Sequence, residues 1–137
     1  IDYVLNQGSI ENRDFDAIER EMTTIADFCR AHGITDKVIV EMCKLDGDDA
    51  AKRRVCEIAL EAKPGFLKTS TGRSFGGAKL EDVRLMHEVL GDAVAIKAAG
   101  GIHNYEEACA FIEAGASALG ASAGIAIVEG APTDERR

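Results

Sequence analysis

Short apolar runs alternate with amphipathic stretches along this chain, and the alternation limits the fold more than any single motif does. Runs that begin at residues 38, 66, 94 and 116 start 28, 28 and 22 residues apart, the length of a strand–helix repeat. The stretches between them carry apolar residues at spacings of three and four, as amphipathic helices do. A β-branched and aromatic run also opens the chain, so the pattern predicts five strands, each followed by a helix.

The repeat predicts the α/β class with a parallel sheet, because its strands are short and nearly all apolar. Two architectures fit this order, an open doubly wound sheet or part of an eight-stranded barrel. We expect a single domain over residues 1–137, since no linker interrupts the repeat. The predicted strands cover residues 1–5, 38–42, 66–70, 94–98 and 116–120, and the predicted helices cover residues 14–31, 48–62, 80–90, 104–114 and 123–128.

The charge of the chain limits the partners that we expect, and its cysteines and histidines indicate the cellular setting and the absence of a metal site. A formal net charge of -8 argues against a nucleic acid or an anionic membrane surface as the partner. No apolar run is long enough to span a bilayer. The four cysteines lack CxxC spacing and the three histidines lack metal-ligand spacing, so we expect reduced thiols, a cytoplasmic protein and no metal site. The cysteines are Cys29, Cys43, Cys56 and Cys109.

Two lysines lie inside apolar strands, where an ammonium group is costly to bury unless it is paired or deprotonated. Lys68 comes before the small polar run 69–72, and Lys97 comes before the Gly100–Gly101 pair. Both therefore fall at the carboxyl end of a parallel strand, which is where such folds bind ligands. The alternative for each is a lysine that extends along apolar surface to reach water.

Neighbouring parallel strands lie about 4.8 Å apart, so the two ammonium groups can come close together. Like charges disfavour the charged form, and one lysine is then expected to titrate low and to act as a nucleophile toward carbonyl groups. The spacing leaves open whether this is Lys68 or Lys97. Asp2, in the opening strand, is either a terminal charge or a carboxylate that relays protons beside the lysines.

Glycines follow three of the predicted strands at matching positions. Gly72, Gly100, Gly101 and Gly120 stand there, and Ser122 lies just beyond the last of them. Backbone N–H groups at such turns bind phosphate. Glycine is also common at any strand–helix turn, so the matching positions, rather than any one glycine, indicate an anion site.

Two segments with these lysines, FLKTSTG at 66–72 and VAIKAAGGI at 94–102, resemble the signature of the deoxyribose-phosphate aldolase family. Residues 1–4, 38–41, 81–86 and 119–122 extend the resemblance over almost the whole chain. It implies a TIM barrel and a class I aldolase that reversibly cleaves 2-deoxyribose 5-phosphate to glyceraldehyde 3-phosphate and acetaldehyde. It implies no metal and no organic cofactor.

The resemblance also assigns roles to residues. It makes Lys68 the Schiff-base lysine, Lys97 the neighbour that lowers the pKa of Lys68, and Asp2 an aspartate that helps to move protons. The residues that match the phosphate-contacting loops are Gly72, Arg73, Gly100, Gly101, Gly120 and Ser122. Two positions depart from the pattern, because Ala123 stands where a second serine is common and His103 stands where an arginine is common.

The number of strands is the larger departure. The chain holds only what correspond to strands four to eight of the family's eight, and a five-stranded arc leaves two strand edges open. We therefore expect either a fragment of a longer protein, which the opening inside a strand favours, or a homo-oligomer in which another copy covers the open edge. The competing functions are an inactive phosphate-binding partial barrel that self-associates and another phosphate-binding barrel enzyme.

Overall fold

Five parallel strands form one sheet in the computed structural model, which describes residues 1–73 and 76–132. Residues 74, 75 and 133–137 of the predicted domain lie outside this described part. The strands are β1 (Asp2–Val4), β2 (Lys37–Ile39), β3 (Phe66–Lys68), β4 (Ala95–Ala99) and β5 (Ala118–Gly120). Their spatial order is the chain order. A doubly wound sheet reverses its strand order at a switch point, and this sheet does not. Of the two predicted architectures, the strand order therefore supports part of a barrel.

Helices follow the strands as the sequence predicts. They are α1 (Gln7–Glu11), α2 (Phe15–Ala31), α3 (Asp49–Ala62), α4 (Leu80–Leu90), α5 (Tyr105–Glu113) and α6 (Gly124–Glu129). The five predicted helices are confirmed to within one residue at each end. Three of them begin after a residue whose side chain caps the helix, and these residues are Asp14, Asp48 and Asn104. In the described ranges, no helix has both the length and the apolar character needed to cross a membrane.

Two short elements depart from the sequence prediction. Helix α1 was not predicted, and a 3-10 turn (Met42–Leu45) takes up the end of the predicted strand 38–42. The strand ends early because Glu41 adopts φ 65° and ψ 62°, a left-handed conformation that breaks the extended backbone. Four apolar residues and one glutamate, VIVEM at 38–42, resemble a strand, and a single left-handed residue gives no signal in that pattern.

Successive side chains along each strand point to opposite faces of the sheet, one packed beneath the helices and one on the inside of the arc. Val38, Leu67 and Ile96 occupy the same register position on β2, β3 and β4, are at most 1% exposed, and pack in the core beneath the helices. The residues on either side of them point to the opposite, inner face of the arc. Lys68 and Lys97 belong to that inner face and are register partners.

Candidate active site

Asp2, Lys68 and Lys97 come together on the inner face although three separate strands carry them. Lys68 ends β3, pairs in register with Lys97 of β4, and places its Nζ 3.7 Å from Oδ2 of Asp2. The Lys68 side chain is 13% exposed. Within residues 1–73 and 76–132, no hydrogen bond or ion pair engages the Nζ of Lys97. The structure thus groups two cations around one carboxylate, with Lys68 at ion-pair distance from Asp2 and Lys97 near enough for its charge to act on Asp2.

A third lysine, which the sequence analysis missed, contacts the same carboxylate. Lys37 Nζ lies 3.2 Å from Oδ1 of Asp2, so the carboxylate is held between two ammonium groups. Partial burial alone would raise the pKa of Asp2, but the hydrogen bond and charge of Lys37, with the charges of Lys68 and Lys97, lower it overall. A period of two from Ile39 places Lys37 on the inner face, which is the signal that could have found it.

A cleft of about 250 Å³ opens beside Lys68 at the carboxyl ends of β3, β4 and β5. The described residues that line it are Lys68, Thr71, Gly72, Ala99, Gly100, Gly101, Ile102, His103, Gly120, Ala121 and Ser122. Six of the nine predicted site residues are in that set. The other three are Asp2 and Lys97, which lie on the inner face, and Arg73, which is exposed on the loop after β3.

Glycine is required where two loops of the cleft touch through their backbones. A Cβ on Gly100, which has φ 88°, would lie 3.1 Å from the Cα of Gly72 and 3.1 Å from the Cα of Gly77. A Cβ on Gly77 would lie 2.5 Å from the carbonyl oxygen of Gly100. The backbone N–H of Ala78 also donates to the carbonyls of Ala99 and Gly100. Any side chain at these positions would push the loop after β3 away from the loop after β4.

Two of the small polar residues after Lys68 hold the strand ends together. Thr69 and Ser70 are fully buried. The Thr69 hydroxyl accepts the backbone N–H of Ala99 at 3.1 Å and the Ser70 hydroxyl at 3.0 Å. Their role in this structure is to join the end of β3 to the end of β4, which fixes Lys68 against Lys97.

The rim of the cleft carries His103 at the position where the resembling family commonly has arginine. Its side chain is 72% exposed, and its Nδ1 lies 3.3 Å from Oε2 of Glu107. The backbone N–H of His103 donates to the same carboxylate at 2.8 Å, and this bond is the main reason that the pKa of Glu107 is lowered. The imidazole is therefore already turned toward a carboxylate on the rim.

Sequence comparison with known proteins finds related enzymes for most of this chain. No protein-family model matches the chain. A deoxyribose-phosphate aldolase of Thermococcus gammatolerans is 45% identical to it over 135 residues, which make up 98% of the chain and 59% of that enzyme. The chain thus spans about six tenths of the length of this curated relative.

Solved structures show the same relation in three dimensions. QR15, an aldolase, matches with a TM-score of 0.80 at 36% identity, over 93% of this chain and 56% of QR15. The tetrameric deoxyribose phosphate aldolase from Aeropyrum pernix matches with a TM-score of 0.73 at 28% identity, over 84% of this chain and 49% of its own. By sequence and by fold, this chain is a homologue of the deoxyribose-phosphate aldolases and corresponds to part of their barrel.

Proposed function

We propose that this chain carries the catalytic centre of a Schiff-base aldolase that reversibly cleaves 2-deoxyribose 5-phosphate to glyceraldehyde 3-phosphate and acetaldehyde. The observation that carries the proposal is the position of Lys68, an amine that lines a glycine-rich cleft and whose one ion pair within residues 1–73 and 76–132 is a 3.7 Å contact to Asp2. The homology to aldolases supports the same reaction class. The four free cysteines suit a reducing setting, and we propose the cytoplasm.

Lys68 is the nucleophile in the proposed reaction. Its neutral amine attacks C1 of the open-chain sugar, and the carbinolamine that forms loses water to give an iminium. The iminium accepts the electron pair of the C2–C3 bond as that bond breaks, while the C3 hydroxyl gives up its proton. Glyceraldehyde 3-phosphate leaves, and an enamine remains on Lys68.

Asp2 is the proposed proton carrier for the remaining steps, and Lys97 is the proposed neighbouring charge that favours the neutral amine of Lys68. The enamine takes a proton at C2, and hydrolysis of the resulting iminium releases acetaldehyde and returns the amine. Asp2 is suited to the exchange because its lowered pKa keeps it a carboxylate near neutral pH, close to Lys68. Lys97 is the register partner of Lys68 on the neighbouring strand, and a second positive charge at that position disfavours the charged form of the nucleophile.

The glycine turns around the cleft are the proposed site for the substrate phosphate. Gly72, Gly100 and Gly101 all have positive φ, and successive backbone N–H groups in such turns form anion-binding concavities. Gly120 and Ser122 line the opposite wall of the cleft. Arg73 follows Gly72 directly and is the proposed local cation for an anionic substrate, which the net charge of -8 would otherwise repel.

Reductive trapping tests the assignment. Acetaldehyde with borohydride is expected to leave an ethyl group on Lys68, located by peptide mass spectrometry. Lys68→Arg should abolish that adduct, and Lys63→Arg, at an exposed helix end, should leave its yield unchanged. An adduct confined to exposed lysines in the unaltered chain would contradict the proposal.

A second candidate is an inactive phosphate-binding partial barrel that self-associates through its open edges. The observation that favours it is apolar exposure near β1, where Ile1 is 63% and Phe28 is 58% exposed around an apolar groove. The tetrameric assembly of the Aeropyrum pernix relative makes a second copy of this chain the natural partner to propose. Light scattering that shows a dimer or larger species, with phosphate bound but no adduct on Lys68, would support this candidate over the aldolase.

A further inference from the structure

Glu41 makes the most unusual set of contacts outside the residues assigned above. It lies at the end of β2, is 2% exposed, and points its carboxylate at the loop that follows β3. Its Oε1 accepts the backbone N–H of Thr71 at 3.1 Å, and its Oε2 accepts the Thr71 hydroxyl at 2.8 Å. The Thr71 hydroxyl oxygen in turn accepts the backbone N–H of Arg73 at 3.3 Å. Both carboxylate oxygens of this buried residue therefore bond to Thr71, in the loop that carries Gly72 and Arg73.

The backbone at Glu41 is strained in order to make these contacts. Its φ of 65° is unfavourable for a residue with a Cβ, and such strain persists where the surrounding structure holds it. The backbone on both sides still bonds to the chain at the end of β3, because Val40 N–H donates to Lys68 and Met42 N–H donates to Thr69. These two acceptors are one residue apart where a regular parallel ladder would have them two apart, so the left-handed residue forms a local irregularity of the β-bulge kind, and its side chain contacts Thr71.

The segment after Glu41 holds the far end of the same loop. The backbone N–H of Gly76 donates to the thiol of Cys43, and a Cβ on Gly76 would lie 3.0 Å from the Cβ of Cys43. Lys79 Nζ is hydrogen-bonded to Asp46. Glu41 and the segment that follows it thus contact both described ends of the loop after β3. The end that Glu41 contacts is the one that lines the cleft.

We propose that Glu41 is a positioning residue that holds the loop after β3 in the shape that receives the substrate phosphate. The proposal rests on the proposed function for the identity of the anion, and it deepens that function by naming the group that sets the geometry of the phosphate site. Glu41 is assigned no contact with a reacting atom, because it is buried and is not among the described residues that line the cleft. Loss of this residue should therefore weaken phosphate binding and leave the chemistry at Lys68 intact.

Two substitutions separate positioning from folding. Glu41→Gly removes the carboxylate and also relieves the strain, since glycine adopts positive φ without a steric penalty. Glu41→Gln keeps the length and one oxygen, so its Oε1 can still accept the Thr71 N–H while its amide donates to the Thr71 hydroxyl. The matched pair is studied by titration with inorganic phosphate, by acetaldehyde–borohydride trapping at Lys68, and by amide hydrogen exchange at Thr71.

We expect Glu41→Gly to bind inorganic phosphate about tenfold more weakly, which corresponds to about 1.4 kcal/mol, and to exchange the Thr71 amide faster. Trapping of acetaldehyde should stay within about twofold of the unaltered chain, since acetaldehyde has no phosphate, and Glu41→Gln should recover most of the phosphate affinity. Unchanged phosphate affinity in Glu41→Gly, or equal losses in phosphate binding and trapping, would overturn the proposal. If the unaltered chain binds phosphate but forms no adduct, the aldolase function fails and the phosphate titrations still decide the role of Glu41.

Discussion

Lys52 and Lys68 are both largely buried lysines, yet they differ in how closely carboxylates compensate their charges. Lys52 lies in the helix layer, on α3, with a side chain that is 4% exposed and an ammonium that contacts Asp82 at 2.6 Å and Asp46 at 2.9 Å. Lys68 lies at the inner face with a side chain that is 13% exposed and a single 3.7 Å contact to Asp2. Two close carboxylates fix the first cation, and one distant carboxylate leaves the second available.

The contrast shows that burial alone does not mark a reactive lysine. For Lys52, burial would lower the pKa, but the hydrogen bonds and charges of Asp82 and Asp46 outweigh it and the pKa is raised. The ammonium of Lys52 is thus stabilised and inert. A buried lysine becomes a candidate nucleophile only where its charge is poorly compensated, as at the end of β3.

The largest expected effect in this comparison is on catalysis. Lys68→Met should lower turnover of 2-deoxyribose 5-phosphate by roughly 10⁴-fold or more, because Lys68 is the only lysine among the described residues that line the cleft. The thermal unfolding midpoint should not fall, since the substitution removes a cation that has only one long contact. Turnover assays and calorimetry on the same preparation measure the catalytic and the stability effects of Lys68→Met. A drop in stability with retained turnover would contradict the role given to Lys68.

The next effect is on stability. Lys52→Met should reduce the free energy of unfolding by about 3–5 kcal/mol, because it leaves the buried Asp82 carboxylate without its partner. The double variant Lys52→Met with Asp82→Leu should return to within about 1 kcal/mol of the unaltered chain, since it removes both charges. Denaturant unfolding measures both. Equal stability of the single and the double variants would show that the pair is not a buried unit.

A pH dependence of stability should follow from the raised pKa of Lys52. A group whose pKa is raised by folding stabilises the folded state fully below its unfolded pKa and loses that contribution as pH rises through the folded value. Unfolding followed from neutral to strongly alkaline pH should therefore show an alkaline loss of stability that is smaller in the Lys52→Met, Asp82→Leu double variant. Parallel curves for the two proteins would exclude Lys52 as the source.

The smallest expected effect concerns the shared carboxylate. The lowered pKa of Asp2 means that its contribution to stability is present above its unfolded pKa and is lost as pH falls through the folded value. Lys37→Met removes its hydrogen-bonding partner, so the titration midpoint of Asp2 should rise toward the ordinary aspartate value. Carbon-detected NMR of the carboxyl group follows this titration, with Lys37→Arg as the variant that keeps the midpoint low. A midpoint that does not move would leave Lys68 and Lys97 as the source of the shift.

Local signals made the helices predictable. Asp14, Asp48 and Asn104 cap α2, α3 and α5 with their own side chains, and Gly33 follows α2 with φ 65°. Such signals act within a few residues, so one stretch of sequence contains them. The turn at Glu41 could not be predicted in this way, because the contacts that stabilise it come from Thr71, 30 residues later.

The sequence by itself determined the strand–helix repeat, the place of Lys68 at the end of one strand and of Lys97 within the next, and the glycines that let the loops after β3 and β4 touch. Only the tertiary structure decided which charges meet. Lys52 and Asp82 are 30 residues apart, and Lys37 and Asp2 are 35 residues apart. Packing of whole helices and strands brings such groups together, and the resulting distances, rather than residue type, set which lysine has close carboxylate partners and which has only a distant one.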